Sequence, residues 1–141
     1  MDEVVVTDAG NSSGAMRKTL PRDAELTRKR ILSAATVEFA RKGLGGARVD
    51  EIAIRSKSNK RMIYHYFGSK DRLFTEVLEA AYLGIRTAEQ ALHLDAMDPE
   101  RAIIRLVEFT WRYYLDHPEF LTLVNSENLH RAKHLKSSAA I

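Results

Sequence analysis

The chain has 141 residues, 45% hydrophobic and 29% charged, enough to bury a core and too apolar to stay wholly unfolded. It has no cysteine, which excludes disulfide staples, thiolate metal ligands and cysteine nucleophiles together. The net charge of +3 is unevenly spread: residues 17–72 hold fifteen Lys or Arg against six Asp or Glu, while the segments on either side are acidic.

Residues 1–20 mix Gly10, Asn11, Ser12, Ser13 and Gly14 with few large apolar groups, which predicts a disordered tail. Asp2, Glu3 and Asp8 are the wrong charges for a signal-peptide start, and no run approaches the ~18 apolar residues of a membrane span, so no membrane partner and a cytoplasmic location are expected. From residue 24 to 42, Ile31, Ala34, Ala35 and Phe39 recur at helical spacing, and Gly43 is expected to end this first helix in a left-handed conformation. A short second helix spans 49–55, with Asp50 and Glu51 at its positive end. Residues 56–58 read as a turn, and Asn59 caps a third helix that ends near Phe67. Gly68 and Ser69 separate it from a long fourth helix, striped by Leu73, Phe74, Val77, Leu78, Ala81, Ile85, Ala88 and Leu92. Asp98 with Pro99, and Asp116 with His117 and Pro118, start the fifth and sixth helices; residues 130–141 look like the opening of another. No strand pattern competes, and the fold class is all-α.

The third helix carries the chemistry. Wound at 100° per residue, Lys60, Tyr64, Arg61 and His65 fall within an arc of about 140°, and Met62, Ile63, Tyr66 and Phe67 fill the other side. A short helix with such a wet face, joined by a tight turn to another short helix, fits the major groove of DNA. Arg61 suits a guanine edge, Lys60 and His65 suit phosphates, and Tyr64 can serve either a phosphate or a thymine methyl. The basic block at 17–72 is the matching electrostatic footprint, though charge alone also fits a solvated surface.

The run through Thr27, Ile31, Ala35, Phe39 and Gly43, followed by Val49, Ile52 and Ala53, then by Tyr64-His65-Tyr66-Phe67-Gly68-Ser69-Lys70, Leu73 and Phe74, resembles the head of the TetR family of transcriptional regulators. The resemblance implies a three-helix helix-turn-helix head, placed here at 21–70, and part of a helical ligand-binding and dimerisation body at 71–141. It also implies a homodimer on a palindromic operator, released by a small-molecule effector. Residues matching Lys60, Arg61, Tyr64 and His65 approach DNA in the family, while those matching Thr27 and Lys70 bind phosphates. Such chains usually continue well beyond this length and dimerise through two final helices.

The chain departs from the family at the turn and at the start of the second helix. Lys57 stands where Gly is usual and Ser58 where an apolar residue is usual, which predicts a strained, looser turn. Arg48 replaces the usual Ser or Thr cap of the second helix, losing a cap bond but adding a cation near the phosphates. In the body, Trp111 and Tyr114 are the expected pocket lining, against the plainer reading that such aromatics are core. His130 and His134 are spaced to share a metal, but no third ligand neighbours them in sequence, so neither a metal nor a cofactor is expected. With no nucleophile or acid–base set, an enzyme is not expected; the alternative is a truncated, non-DNA-binding module that pairs with full-length relatives.

Overall fold

The computed structural model describes residues 21–140, and every regular element among them is helical. These are α1 (Pro21–Gly46), α2 (Val49–Ser56), α3 (Lys60–Phe67), α4 (Lys70–Gln90), α5 (Pro99–Asp116), α6 (Pro118–Leu129) and α7 (Lys133–Ser137), with a 3-10 turn at Leu94–Ala96. The tail expected at residues 1–20 lies outside the described residues, as does Ile141.

α1 already includes Pro21, the first described residue, three residues ahead of the apolar periodicity. Its other end differs from expectation. Gly43 has φ 68 and ψ 176, a kink rather than a left-handed stop, and helical backbone resumes through Gly46. The Leu44 N–H released by the kink donates to Ser126 Oγ of α6 at 3.0 Å. A Cβ at position 43 would stand 3.3 Å from that hydroxyl, so glycine is needed for both backbone and space.

One apolar cluster joins Ile31, Ala35 and Phe39 of α1 to Ile52 of α2, Ile63 and Phe67 of α3, Leu73, Phe74 and Val77 of α4, and Leu123 of α6. Phe39 and Phe74, both fully buried, meet edge to face at 5.1 Å. Burying each such ring contributes about 1.5–3 kcal/mol. Since α1 packs on α2, α4 and α6 alike, the three-helix unit shares its core with the helices that follow. α5 is the exception. None of its residues is buried, and Ile103, Val107, Trp111 and Leu115 are each more than 60% exposed. Asp98 makes no side-chain cap bond, so α5 starts on Pro99 alone. The helix expected from residue 130 shrinks to five residues, preceded by left-handed Arg131 and Ala132.

The turn between α2 and α3 is strained as expected but not loose. Lys57 adopts φ 53 and ψ 43, a left-handed conformation that disfavours a side chain by about 1–2 kcal/mol. The Ser58 N–H donates to Ala53 O at 3.0 Å, and the Lys57 N–H to Ile54 O at 3.2 Å, closing the helix end. Buried Ser56 donates its hydroxyl to Ile52 O at 2.7 Å, which leaves its oxygen free to accept from the Ser58 hydroxyl at 2.6 Å. Hydroxyl bonding replaces the apolar anchor. Lys57→Gly is therefore expected to raise stability by about 0.5–1 kcal/mol, read as a higher urea midpoint with an unchanged slope; a lower midpoint would contradict the strain.

Candidate nucleic-acid interface

α3 is seated by two residues rather than four. Asn59 Oδ1 accepts from the Met62 N–H at 2.8 Å and starts the helix, while Ile63 and Phe67, one turn apart, are buried. Lys60, Arg61, Tyr64 and His65 are exposed together, as their spacing predicts. Met62 corrects the expectation: it is 36% exposed and Tyr66 is only half-buried, so the wet face is wider than the predicted arc. An eight-residue helix needs only the narrow seam of Ile63 and Phe67 to dock, and Met62 lies about 60° beyond His65 around the axis.

Two predicted cations from different helices meet on one carboxylate. Lys60 Nζ lies 3.3 Å from Asp50 Oδ1, and an Arg48 guanidinium nitrogen lies 3.8 Å from Asp50 Oδ2. The sequence suggested only a helix-dipole role for Asp50; its place between Arg48 and Lys60 comes from the packing of α2 on α3. Both pairs are exposed and therefore weak, within about 1 kcal/mol, so a phosphate can take over either cation. Among the described residues, Arg61 and Lys70 have no carboxylate within ion-pair distance.

Arg48 caps α2 without a side-chain bond, as expected. Its backbone N–H goes instead to Glu38 Oε1 at 3.3 Å, and the same oxygen takes Lys42 Nζ at 3.0 Å. Burial pushes the Glu38 carboxyl upward, but Lys42, the Arg48 N–H and the charge of Arg55 outweigh it and hold the group below the usual carboxylate range. A charged Glu38 thus anchors the start of α2 from α1.

Lys70 is the first residue of α4, where Ser69 Oγ accepts from the Arg72 N–H at 3.1 Å. Gly68, at φ 83, turns the chain between α3 and this helix end, whose free N–H groups favour anions. Arg28 is the residue that sequence reasoning missed. Its guanidinium stacks 4.9 Å over the Phe67 ring and pairs with Glu76, tying α1 to α3 and α4. Nothing distinguishes it in sequence from its solvated neighbours Lys29 and Arg30. Thr27 lies within α1, more than a turn beyond Pro21; it is half-buried and its hydroxyl accepts from Arg30 at 3.4 Å.

The aromatic residues of the body fall into different settings. Trp111 is 68% exposed, whereas Tyr114 is half-buried and lies nearly parallel to Phe120, with centroids 6.0 Å apart. A cavity of about 190 Å³ between α1, α4, α5 and α6 is lined by Thr36, Val77, Ala81, Tyr113, His117 and Phe120, among others, but not by Trp111 or Tyr114. Tyr113 lies against His117, its ring tilted by 30° with centroids 4.2 Å apart, and burial followed by the nearby Glu119 charge pushes its phenol up. His130 and His134 do not converge as ligands: His130 Nδ1 meets Ser126 O at 2.7 Å, and His134 Nδ1 meets Glu127 at 2.7 Å. Two acids, Glu127 and Asp71, therefore do flank His134, contrary to the expectation from sequence neighbours. Among the described residues, no three His, Asp or Glu groups are placed to hold a metal ion, and no helix is long and apolar enough to cross a membrane.

Comparison with known proteins adds a family context to this geometry. Residues 31–77 match the family described as bacterial regulatory proteins, tetR family, and residues 99–141 match the tetracyclin repressor-like C-terminal domain. The chain is 48% identical over 124 residues to the HTH-type transcriptional repressor NicS of Pseudomonas putida, covering 86% of this chain and 58% of that one. It is 42% identical over 108 residues to the HTH-type transcriptional repressor SCO4008 of Streptomyces coelicolor, covering 77% and 53%. The chain thus spans just over half the length of these relatives. Among solved structures it is similar to the transcriptional regulator SCO4942 of Streptomyces coelicolor, with TM-score 0.64 and 30% identity over 79% of this chain and 58% of that one. A TetR-like regulator from Rhodococcus sp. RHA1 shares the fold at TM-score 0.68 and 24% identity, covering 75% and 58%.

Proposed function

The chain belongs to the TetR family of transcriptional regulators, and on that premise we propose that it is a sequence-specific repressor that grips a palindromic operator with α3. The single observation that carries this reading is the exposed face of α3, with Lys60, Arg61, Tyr64 and His65 displayed while Ile63 and Phe67 fix the helix from behind. In this reading residues 21–70 are the DNA-binding head and 71–141 part of a regulatory body. Arg61 reads a guanine, because its planar fork matches two acceptors on that base edge. Lys60, His65, Arg48, Thr27 and Lys70 bind phosphates, with Lys70 helped by the positive end of α4. Tyr64 and Met62 offer apolar surface to a thymine methyl.

A small-molecule effector relieves repression, and the cavity lined by Tyr113 and His117 is its proposed seat. At about 190 Å³ it is smaller than usual ligand pockets and suits a compact ligand. Its wall includes Thr36 of α1 and Val77 of α4, so occupancy would press directly on helices that hold α3. Tyr114 reaches such a ligand only through Phe120. Two copies act together, a reading supported by the apolar side chains that α5 leaves in water. A cytoplasmic location, and no catalytic role, go with an operator on the chromosome.

Binding to a palindromic duplex selected from random sequence, and to mixed-sequence duplex, tests the roles. Arg61→Ala should lose about 1–3 kcal/mol on the selected duplex and tolerate substitution at one base position, whereas Lys70→Ala should weaken binding to both duplexes alike. Equal losses for both variants on both duplexes would contradict the assignment. No binding to any duplex would leave only the pairing module.

A further inference from the structure

One pair of buried polar side chains outside the α3 face is Glu127 and His134. Glu127, wholly buried near the end of α6, accepts from the His134 N–H at 2.6 Å and the Leu135 N–H at 3.0 Å, and its second oxygen meets His134 Nδ1 at 2.7 Å. To reach it the chain passes through two consecutive left-handed residues, Arg131 (φ 55) and Ala132 (φ 57), a conformation that residues with a Cβ avoid. When Glu127 is ionised its carboxylate only accepts, and Nδ1 then donates the proton of this hydrogen bond. Nε2 then points the other way, buried and without a hydrogen-bond partner, 3.6 Å from Asp71 Oδ1. Asp71 is the second residue of α4, beside Lys70.

We propose that His134 is a positioning residue for the start of α4: held by Glu127, it ties the α6–α7 corner to Asp71 and thereby sets how Lys70 meets a phosphate. This rests on the reading of Lys70 as a DNA contact and supplies a route by which the body acts on it. With a proton on Nε2, the ring donates to both carboxylates, joins α7 to α4 and offsets the Asp71 charge beside Lys70. Without that proton, a lone pair faces a carboxylate and the tie opens. The groups around the ring are Glu127 and, at 6.2 Å between centroids, His130 from the α6 side, Asp71 and the Phe74 ring from α4, and Lys133 and Lys136 on α7 itself. Both effects have one sign: DNA is held less tightly as pH rises.

The test compares mixed-sequence duplex affinity at about pH 6 and about pH 8, at fixed ionic strength, for the unmodified chain, His134→Gln and Asp71→Asn. Asp71 is 58% exposed, so Asp71→Asn keeps the fold even where His134→Gln does not. The unmodified chain should lose about threefold to tenfold more affinity across that range than either variant, any contribution of His65 being common to all. Without DNA, the backbone amide resonances of Lys70 and Asp71 should move with pH in the unmodified chain and stay fixed in the variants. One shared pH profile, or amides at 70 and 71 that stay still, would overturn the proposal. Moving amides with no duplex binding would uphold the tie and sink the DNA reading instead.

Discussion

Glu127→Ala is expected to lower the unfolding free energy by about 3–5 kcal/mol, because each buried donor left without an acceptor costs about 1–3 kcal/mol. The carboxylate has no exposed surface and serves two backbone N–H groups and an imidazole. Alanine would leave all three donors buried without acceptors, beside a void. It would also remove the side-chain bonds that fold the chain back after the left-handed pair Arg131 and Ala132, leaving only backbone bonds such as Ala132 N–H to Glu127 O at 3.0 Å to hold that turn. Glu127→Gln keeps the shape and one acceptor oxygen, so a smaller loss of about 1–3 kcal/mol is expected. Urea unfolding followed by circular dichroism checks both values. An alanine variant within about 1 kcal/mol of the unmodified chain would show that the clamp contributes little.

The other large effect belongs to Phe74. Its ring is fully buried and meets Phe39 and His134 in T-shaped contacts, each at 5.1 Å, so it joins α1, α4 and α7 at one point. Phe74→Ala combines lost transfer energy with a cavity the surroundings cannot fill, and about 3–5 kcal/mol is expected. Against a total stability of about 5–15 kcal/mol for a domain, this leaves a chain that binds DNA poorly because it is partly unfolded. The exposed variant Arg61→Ala should instead stay within about 0.5 kcal/mol in stability while losing DNA specificity. Thermal melts run beside duplex titrations separate the two causes. Equal melting temperatures for Phe74→Ala and the unmodified chain would contradict its place in the core.

The contrast shows which features sequence alone reveals. Ile31, Ala35, Phe39, Ile63, Phe67 and Phe74 were legible because helical periodicity is local, and all are buried. The displayed set on α3 followed from the same 100° rotation. Residues whose roles depend on distant partners were not legible. Arg28 finds Phe67 and Glu76 only after α3 and α4 have folded onto α1. Glu127 looks like a surface acid on a polar stretch until Arg131 and Ala132 turn His134 back onto it. Ser58 read as a weak replacement for an apolar anchor, since its bond to Ser56 requires the turn already formed. Met62 was misplaced for a different reason: the seam of a short helix is narrower than half its circumference.

Duplex affinity measured across salt concentration bears most directly on the α3 face. If two copies each place Arg48, Lys60 and Lys70 on phosphates, about six contacts form, and affinity should fall about a thousandfold between roughly 50 and 200 mM salt. Lys60→Ala and Lys70→Ala should each make the log–log slope shallower. The physical content is that an eight-residue helix, locked from behind by one isoleucine and one phenylalanine, delivers its cations to a polyanion. Affinity that stays level as salt rises, in a chain that is demonstrably folded, would contradict it.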